Sequence, residues 1–277
     1  KKFGTTPSGK QRFRCLDCGK TFTDSTAKLD GMRIGDDKAA LIIKCLSEGM
    51  GVRGTGRMTG CGKGTILNTL NLIGERCRRY MEDSIVNVPV HDVQADEIWS
   101  FVYCKEKMRK KLSLPSDNHG SQYCYVGLER HSKLVLAWEL GTREYGTGEV
   151  FVKKLAHACW KQDYQFSTDG WQPYKKLVRN YLGTVDYGQI IKLFSTGNDD
   201  HSRYSPGQII EIKKKSLQGE PVEDRICTSH VERANLTMRM GMRRFTRLTN
   251  GFSKKFENHR SALGLHFGLY NFVTPHG

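Results

Sequence analysis

The segment VQADEIWSFVY, residues 93–103, constrains the fold of this chain more than any other part of the sequence. Its apolar residues occupy both sets of alternating positions, which is typical of a central strand covered on both faces. Such a strand predicts an α/β fold with a mixed sheet. The segment also contains Asp96, and a carboxylate is costly there unless it is paired or binds a metal. The neighbouring Glu97 must point to the opposite face, because side chains alternate along a strand.

Strands and helices alternate after this segment. Two apolar runs joined by a short polar connection predict a β-hairpin, and a helix, a short strand and a second helix follow. The predicted positions are residues 122–128 and 134–140 for the hairpin strands, 148–161 for the helix, 164–168 for the short strand, and Pro173 onward for the second helix. A polar, glycine-containing stretch with Lys213, Lys214 and Lys215 precedes a last amphipathic helix, which begins near Thr228.

Two further acids have informative positions in this pattern. Asp169 lies where the short strand ends, so it is either an N-cap of the next helix or a functional carboxylate. Glu232 lies on the last helix and is the single acid between Arg225 and Arg247, a segment with six arginines. It is either a salt-bridge partner or another functional carboxylate. Trp171 either stacks on a DNA base or packs beneath the helix that follows it.

The order of elements predicts that Asp96, Asp169 and Glu232 meet at one edge of the mixed sheet. Oxygen ligands of this kind hold magnesium ions. Two such ions activate an attacking hydroxyl and stabilise the leaving oxygen in phosphoryl transfer. The sequence therefore predicts a catalytic site in which these three carboxylates bind Mg²⁺ or Mn²⁺.

Residues 36–88 have a helical pattern, with predicted helices at 36–48, 52–58 and 65–81. The first has Ala40, Ile43, Cys45 and Leu46 on its apolar side. Three short helices in this order predict a helix-turn-helix, whose last helix lies in a major groove of DNA. The alternative is a plain three-helix bundle with a solvated basic face. The candidate DNA-binding residues are Lys63, Asn68, Arg76, Arg78 and Arg79.

Cys15 and Cys18 have the spacing of a zinc knuckle, with Gly19 for the tight turn and aromatic residues on both sides. A structural zinc site needs four ligands, and the sequence offers no second pair nearby. We therefore expect an incomplete zinc site, with two ordinary thiols in a β-turn as the alternative. The predicted domains are a partial zinc ribbon (1–35), a helix-turn-helix domain (36–88) and a catalytic domain (89–277).

The composition agrees with a partner that is an acidic polymer. The 277 residues include 44 Lys and Arg against 29 Asp and Glu, which gives a formal charge of +15. No apolar run reaches the roughly 18 residues that would span a bilayer, so we expect no membrane association. The partner is expected to be nucleic acid. Nine cysteines, an odd number without a disulfide pattern, and no signal peptide predict a reducing, cytoplasmic environment.

Five short sequence segments resemble segments of the DDE transposases of the insertion-sequence-one type, and they occur in the same order along the chain. SGKQRFRCLDC (8–18) is similar to the second half of the family's zinc ribbon, and DEIWSFV (96–102) to its first catalytic strand. TDG (168–170) and SHVERANL (229–236) are similar to the segments with its second and third acids. ENHR (257–260), with YNF (270–272), resembles its closing helix.

This resemblance implies a ribonuclease H-like catalytic domain in which Asp96, Asp169 and Glu232 are the metal ligands. It also implies that Arg239 contacts DNA phosphate. The helix pattern places Arg243 on the same predicted face as Arg239, so Arg243 is a further candidate DNA-binding residue. The first zinc-ribbon pair is missing, and Thr274 stands where the family has an arginine. The implied partners are terminal inverted repeats and target DNA, handled by a homodimer or larger oligomer near a bacterial or archaeal nucleoid.

The implied function is a transposase that binds the ends of a mobile element, exposes a 3′-hydroxyl and joins it to target DNA. One alternative is a domesticated DNA-binding regulator with an inactive catalytic domain. Another is a structure-specific nuclease of the same fold, which cuts without joining.

Overall fold

The computed structural model describes residues 1–7, 9, 11–23, 32, 34–160, 163–194, 209–246 and 250–275. Within these residues the chain forms nine strands and eight α-helices. The strands are β1 (Lys2–Thr5), β2 (Gln11–Arg14), β3 (Thr21–Thr23), β4 (Asp92–Val102), β5 (Gly120–Glu129), β6 (Val135–Gly141), β7 (Gln165–Thr168), β8 (Asp186–Phe194) and β9 (Ile209–Gln218). The helices are α1 (Asp36–Ser47), α2 (Val52–Thr59), α3 (Lys63–Ser84), α4 (Glu106–Lys111), α5 (Tyr145–Ala158), α6 (Pro173–Tyr181), α7 (Ser229–Gly241) and α8 (Phe256–Phe272).

The strands form two sheets. The first three make a small antiparallel sheet in the order β1-β2-β3, and the others make a mixed sheet in the order β6-β5-β4-β7-β8-β9. In the mixed sheet β4 is antiparallel to β5 but parallel to β7, and β8 is parallel to β7. The predicted α/β class with a mixed sheet is therefore confirmed.

The central strand β4 is covered on both faces, as its apolar residues predict. Ile98 and Val93 are almost fully buried. On one face, the Ser100 hydroxyl lies 2.9 Å from His259 Nε2 of α8. On the other face, α5 packs on the sheet so closely that a Cβ on Gly127 would lie 2.9 Å from a Leu155 methyl. The strand thus separates a layer with α7 and α8 from a layer with α5 and α6.

The three predicted N-terminal helices are present, but the burial of α1 differs from the prediction. Ala39, Ile42 and Cys45 are its buried residues, whereas Ala40 is exposed. One residue step rotates a side chain by about 100° around a helix, so this small shift changes the buried face. The packing of α1 on α2, α3 and α8 determines which face is covered.

The third N-terminal helix, α3, packs tightly along α8. A Cβ on Gly74 would lie 2.0 Å from the Ser261 carbonyl oxygen, and one on Gly264 would lie 2.2 Å from the Gly74 oxygen. Asn71 also donates a 3.0 Å hydrogen bond to Asn258. Two backbones approach this closely only where both helices have glycine. One face of the helix predicted to enter a DNA groove is therefore covered by the closing helix.

The sequence analysis assigned no element to the polar stretch around Lys213, but Lys213, Lys214 and Lys215 lie on the strand β9. Among the described residues this strand pairs only with β8, and it has exposed residues on both faces, including Ile210. An edge strand exposed on both sides has no alternation of buried and exposed residues, so the usual sequence signal is missing. None of the helices among the described residues is long and apolar enough to cross a membrane.

Candidate active site

The pairing of β4 with β7 brings Asp96 and Asp169 together. The strands are parallel, and their last paired residues are Ala95 and Thr168. Asp96 and Asp169 are the next residue on each chain segment, so they emerge side by side. Asp169 is not the N-cap of α6, a position that belongs to Gln172.

Helix α7 brings Glu232 to the same place. Its Asn235 donates a 2.9 Å hydrogen bond to Asp96 Oδ2, and the backbone N–H of Val231 donates to Gln94 two residues earlier on β4. Glu232 itself accepts a 2.6 Å hydrogen bond from the Thr228 hydroxyl. These contacts fix the helix on the face of β4 that includes Asp96.

The electrostatics of Asp96 show that the three acids interact. The pKa of Asp96 is raised to about 6, mainly by loss of hydration and also by the negative charges of Asp169 and Glu232, while the Asn235 hydrogen bond acts in the opposite direction. A neighbouring negative charge makes ionisation of a carboxyl group less favourable. We call Asp96, Asp169 and Glu232 the carboxylate cluster.

Basic side chains contact two members of the carboxylate cluster. Arg143 donates a 3.1 Å hydrogen bond to Asp169, and Lys192 of β8 forms an ion pair with Glu232. Among the residues that the structure describes, no three His, Cys, Asp or Glu side chains are grouped closely enough to hold a metal ion. The cluster fits Mg²⁺ in its donor chemistry, since it has hard oxygen atoms and three negative charges. In this conformation, however, its carboxylates face Arg143, Lys192 and Asn235.

Glu97 lies on the opposite face of β4 from Asp96, as strand alternation predicts. The Tyr174 hydroxyl of α6 donates a 2.6 Å hydrogen bond to it. Burial is the main cause that raises the pKa of Glu97, and the charge of Asp169 adds to it. Glu97 therefore has no place among the groups that surround Asp96 on the α7 face.

Trp171 is partly buried and packs against the hydrophobic core. Its ring lies 5.1 Å from the ring of Tyr174 and 5.5 Å from that of Tyr125, and a Cβ on Gly148 would lie 2.7 Å from it. Of the two sequence interpretations, this arrangement favours packing over stacking on a DNA base.

The candidate DNA-binding residues of α3 have different surroundings. Lys63, Asn68, Arg76 and Arg79 are exposed, while Arg78 is partly buried. Arg78 forms ion pairs on its own helix with Glu75 (2.8 Å) and Glu82 (2.7 Å), and Arg79 pairs with Glu75 at 3.0 Å. These intrahelical pairs reduce the positive charge that Arg78 and Arg79 offer to a phosphate.

The two candidate arginines beyond Glu232 lie in different elements, so the prediction that they share a helix face is wrong. Arg239 is partly buried on α7, and Arg243 is exposed in a short 3₁₀ segment after it. Arg243 lines a groove of about 350 Å³ together with Arg53 and Arg57 of α2. Sequence analysis missed these two arginines, since glycines surround them and they belong to no motif. Arg247 lies outside the described residues.

Cys15 and Cys18 lie in a tight turn between β2 and β3. The backbone N–H of Gly19 donates a 3.1 Å hydrogen bond to the Cys15 carbonyl. Backbone N–H groups of Cys18 and Asp17 lower the pKa of the Cys15 thiol. The turn thus favours a thiolate, the form that binds zinc, and zinc binding stays a prediction.

No family model matches the chain, and no curated protein matches it significantly.

Proposed function

We propose that the chain is a DDE-type DNA transposase. The observation that carries the proposal is the carboxylate cluster: acids at the paired ends of two neighbouring parallel strands, with a third on a helix packed against the same strand. The electrostatic effect of Asp169 and Glu232 on Asp96 supports their acting as one group.

The strand order supports a ribonuclease H-like assignment for the domain proposed at residues 89–277. Three consecutive antiparallel strands, β4 to β6, are followed by two parallel strands on the other side of β4. The first acid then lies on the first of these strands, and the second acid follows the fourth. This arrangement supports the proposal, because it has the order of elements and acids that the sequence pattern predicts.

The proposed chemistry assigns simple roles to the chain's own residues. Asp96, Asp169 and Glu232 would hold Mg²⁺ or Mn²⁺, which supplies Lewis-acid activation of the attacking hydroxyl and stabilises the leaving oxygen. Asn235 orients Asp96 through its 2.9 Å hydrogen bond, and Thr228 orients Glu232 in the same way. Orientation of this kind is what ligands of a two-metal site need from their surroundings.

The distribution of charge supports DNA as the partner. The chain has a formal charge of +15, and exposed basic residues lie on α3 (Lys63, Arg76) and in the groove beside α7 (Arg53, Arg57, Arg243). We propose that the helices of residues 36–88 bind the element's ends. A homodimer or larger assembly would hold two ends together.

The test is a strand-transfer assay with labelled duplexes taken from the DNA that flanks the coding sequence, with Mg²⁺ present. We expect joined products from the wild type. Asp96→Asn, Asp169→Asn and Glu232→Gln should abolish cleavage and joining, yet bind the duplex within about twofold of the wild type.

The assay distinguishes the alternatives. Cleavage without joining would indicate a structure-specific nuclease. Specific binding with neither activity would indicate a DNA-binding regulator. Glu97→Gln tests the choice between the two neighbouring acids. If Asp96→Asn kept its activity and Glu97→Gln lost its activity, the assignment of Asp96 would be wrong.

A further inference from the structure

Glu97 lies next to the carboxylate cluster, but its side chain is only 2% exposed. Both of its oxygen atoms have a partner. Oε1 accepts the hydrogen bond from Tyr174, and Oε2 accepts two hydrogen bonds from Arg143, at 2.9 and 3.2 Å. A carboxylate with so little exposure is costly, so it requires strong partners of this kind.

Arg143 connects Glu97 to the cluster. The same Nη2 atom that donates to Glu97 also donates to Asp169 Oδ2 at 3.1 Å. The rings of Trp171 and Tyr123 lie 6.0 and 5.8 Å from the guanidinium carbon. Arg143 is therefore held between two carboxylates and two aromatic rings, and its charge is shared between Glu97 and Asp169.

Arg143 affects Asp169 in two opposing ways. Its hydrogen bond orients one carboxylate oxygen, while the backbone N–H of Trp171 holds the other at 3.0 Å. Its positive charge, however, opposes a divalent cation at the same carboxylate. Glu97, whose two oxygen atoms both accept hydrogen bonds, is the acid that shares the charge of Arg143 with Asp169.

We propose that Glu97 is a positioning residue for the carboxylate cluster, which holds Arg143 and balances its charge so that Asp169 stays oriented and available to a divalent cation. This inference rests on the proposed function. Without Glu97, the full charge of Arg143 would fall on Asp169 and compete with the metal ion. Sequence analysis considered Glu97 only as a rival of Asp96, so this role follows from the tertiary contacts.

The experiment measures Mn²⁺ binding to the full chain by electron paramagnetic resonance of the free ion, with thermal unfolding recorded for every variant. We expect Glu97→Gln to bind Mn²⁺ about tenfold more weakly than the wild type, a typical effect of losing a residue that supports a metal ligand. Adding Arg143→Gln to that variant should restore most of the affinity, because the uncompensated charge is then removed.

Glu139→Gln is the matched control. Glu139 lies on the same face of the sheet as Glu97, with Tyr125 of β5 paired between them. It is also largely buried and pairs with a basic residue, Lys154, at 2.7 Å. Because Glu139 does not contact Arg143 or Asp169, this variant should bind Mn²⁺ as the wild type does.

The outcomes separate this inference from the proposed function. A wild type that binds Mn²⁺ no better than Asp169→Asn would contradict the proposed metal site itself. Wild-type affinity in Glu97→Gln, or no recovery in the double variant, would overturn the role of Glu97 alone. If Glu97→Gln does not fold, Tyr174→Phe decides: we expect about threefold weaker binding, and unchanged binding would overturn the inference.

Discussion

Replacing Asp96 by asparagine should stabilise the metal-free protein while it abolishes activity. The pKa of Asp96 is raised from 3.8 to about 6 by lost hydration and by the other two acids. At 1.36 kcal/mol per pKa unit, this difference corresponds to about 3 kcal/mol of destabilisation by the ionised form at pH 8. Asparagine has no charge and keeps an acceptor oxygen for Asn235.

The effect should depend on pH in a defined direction. Because folding raises this pKa, the folded protein binds the proton more tightly than the unfolded chain does between about pH 4 and pH 6. The wild type therefore loses stability as pH rises through this range, and the advantage of Asp96→Asn grows with it. The advantage should be only about 0.5 kcal/mol at pH 4 and complete above about pH 7.

The assay is chemical denaturation from pH 4 to pH 8 with a chelator present, supported by thermal unfolding. At roughly 2 °C per kcal/mol for a chain of this size, the midpoint at pH 8 should rise by about 6 °C. Asp92→Asn is the control on the same strand. Asp92 is 6% exposed and pairs with Arg225 at 2.6 Å, so its replacement should destabilise the protein by about 2 kcal/mol.

The reasoning would be refuted if Asp96→Asn were no more stable than the wild type at pH 8, or if its advantage were the same at pH 4. Either result would mean that Asp96 does not have the raised pKa from which the magnitude is derived. Added Mg²⁺ should reduce the advantage, because a bound cation offsets the repulsion in the wild type alone.

Three further predictions concern other parts of the molecule. The affinity for duplex DNA should fall steeply with salt, with a logarithmic slope of about 0.9 for each phosphate contacted, and a flat dependence would contradict the proposed basic interface. Gly74→Ala should destabilise the protein by about 2 kcal/mol in urea unfolding, since its Cβ would lie 2.0 Å from the Ser261 oxygen, whereas Gly64→Ala, with open space around it, should not. Trp171→Ala should cost about 3 kcal/mol of stability with unchanged DNA affinity, and the reverse pattern would indicate base stacking.

The sequence alone predicted most of the elements that carry the candidate site. The pattern of apolar residues was sufficient to predict β4, the β5–β6 hairpin and helices α1 to α3, because periodicity reflects which faces are buried. It also put Glu97 on the opposite face from Asp96, since side-chain direction along a strand is fixed by local geometry. The order of these elements was enough to select Asp96, Asp169 and Glu232 as a possible group.

The tertiary structure alone decided which side chains contact this group. Arg143 contacts Asp169 across 26 residues of sequence, and Lys192 contacts Glu232 across 40. Asn235 contacts Asp96 across 139 residues. Such partners depend on strand register and helix placement, which no local pattern encodes. The exposed strand β9 was missed for a related physical reason. Burial on one face leaves a periodic signal in a sequence, but β9 is exposed and is held by its pairing with β8.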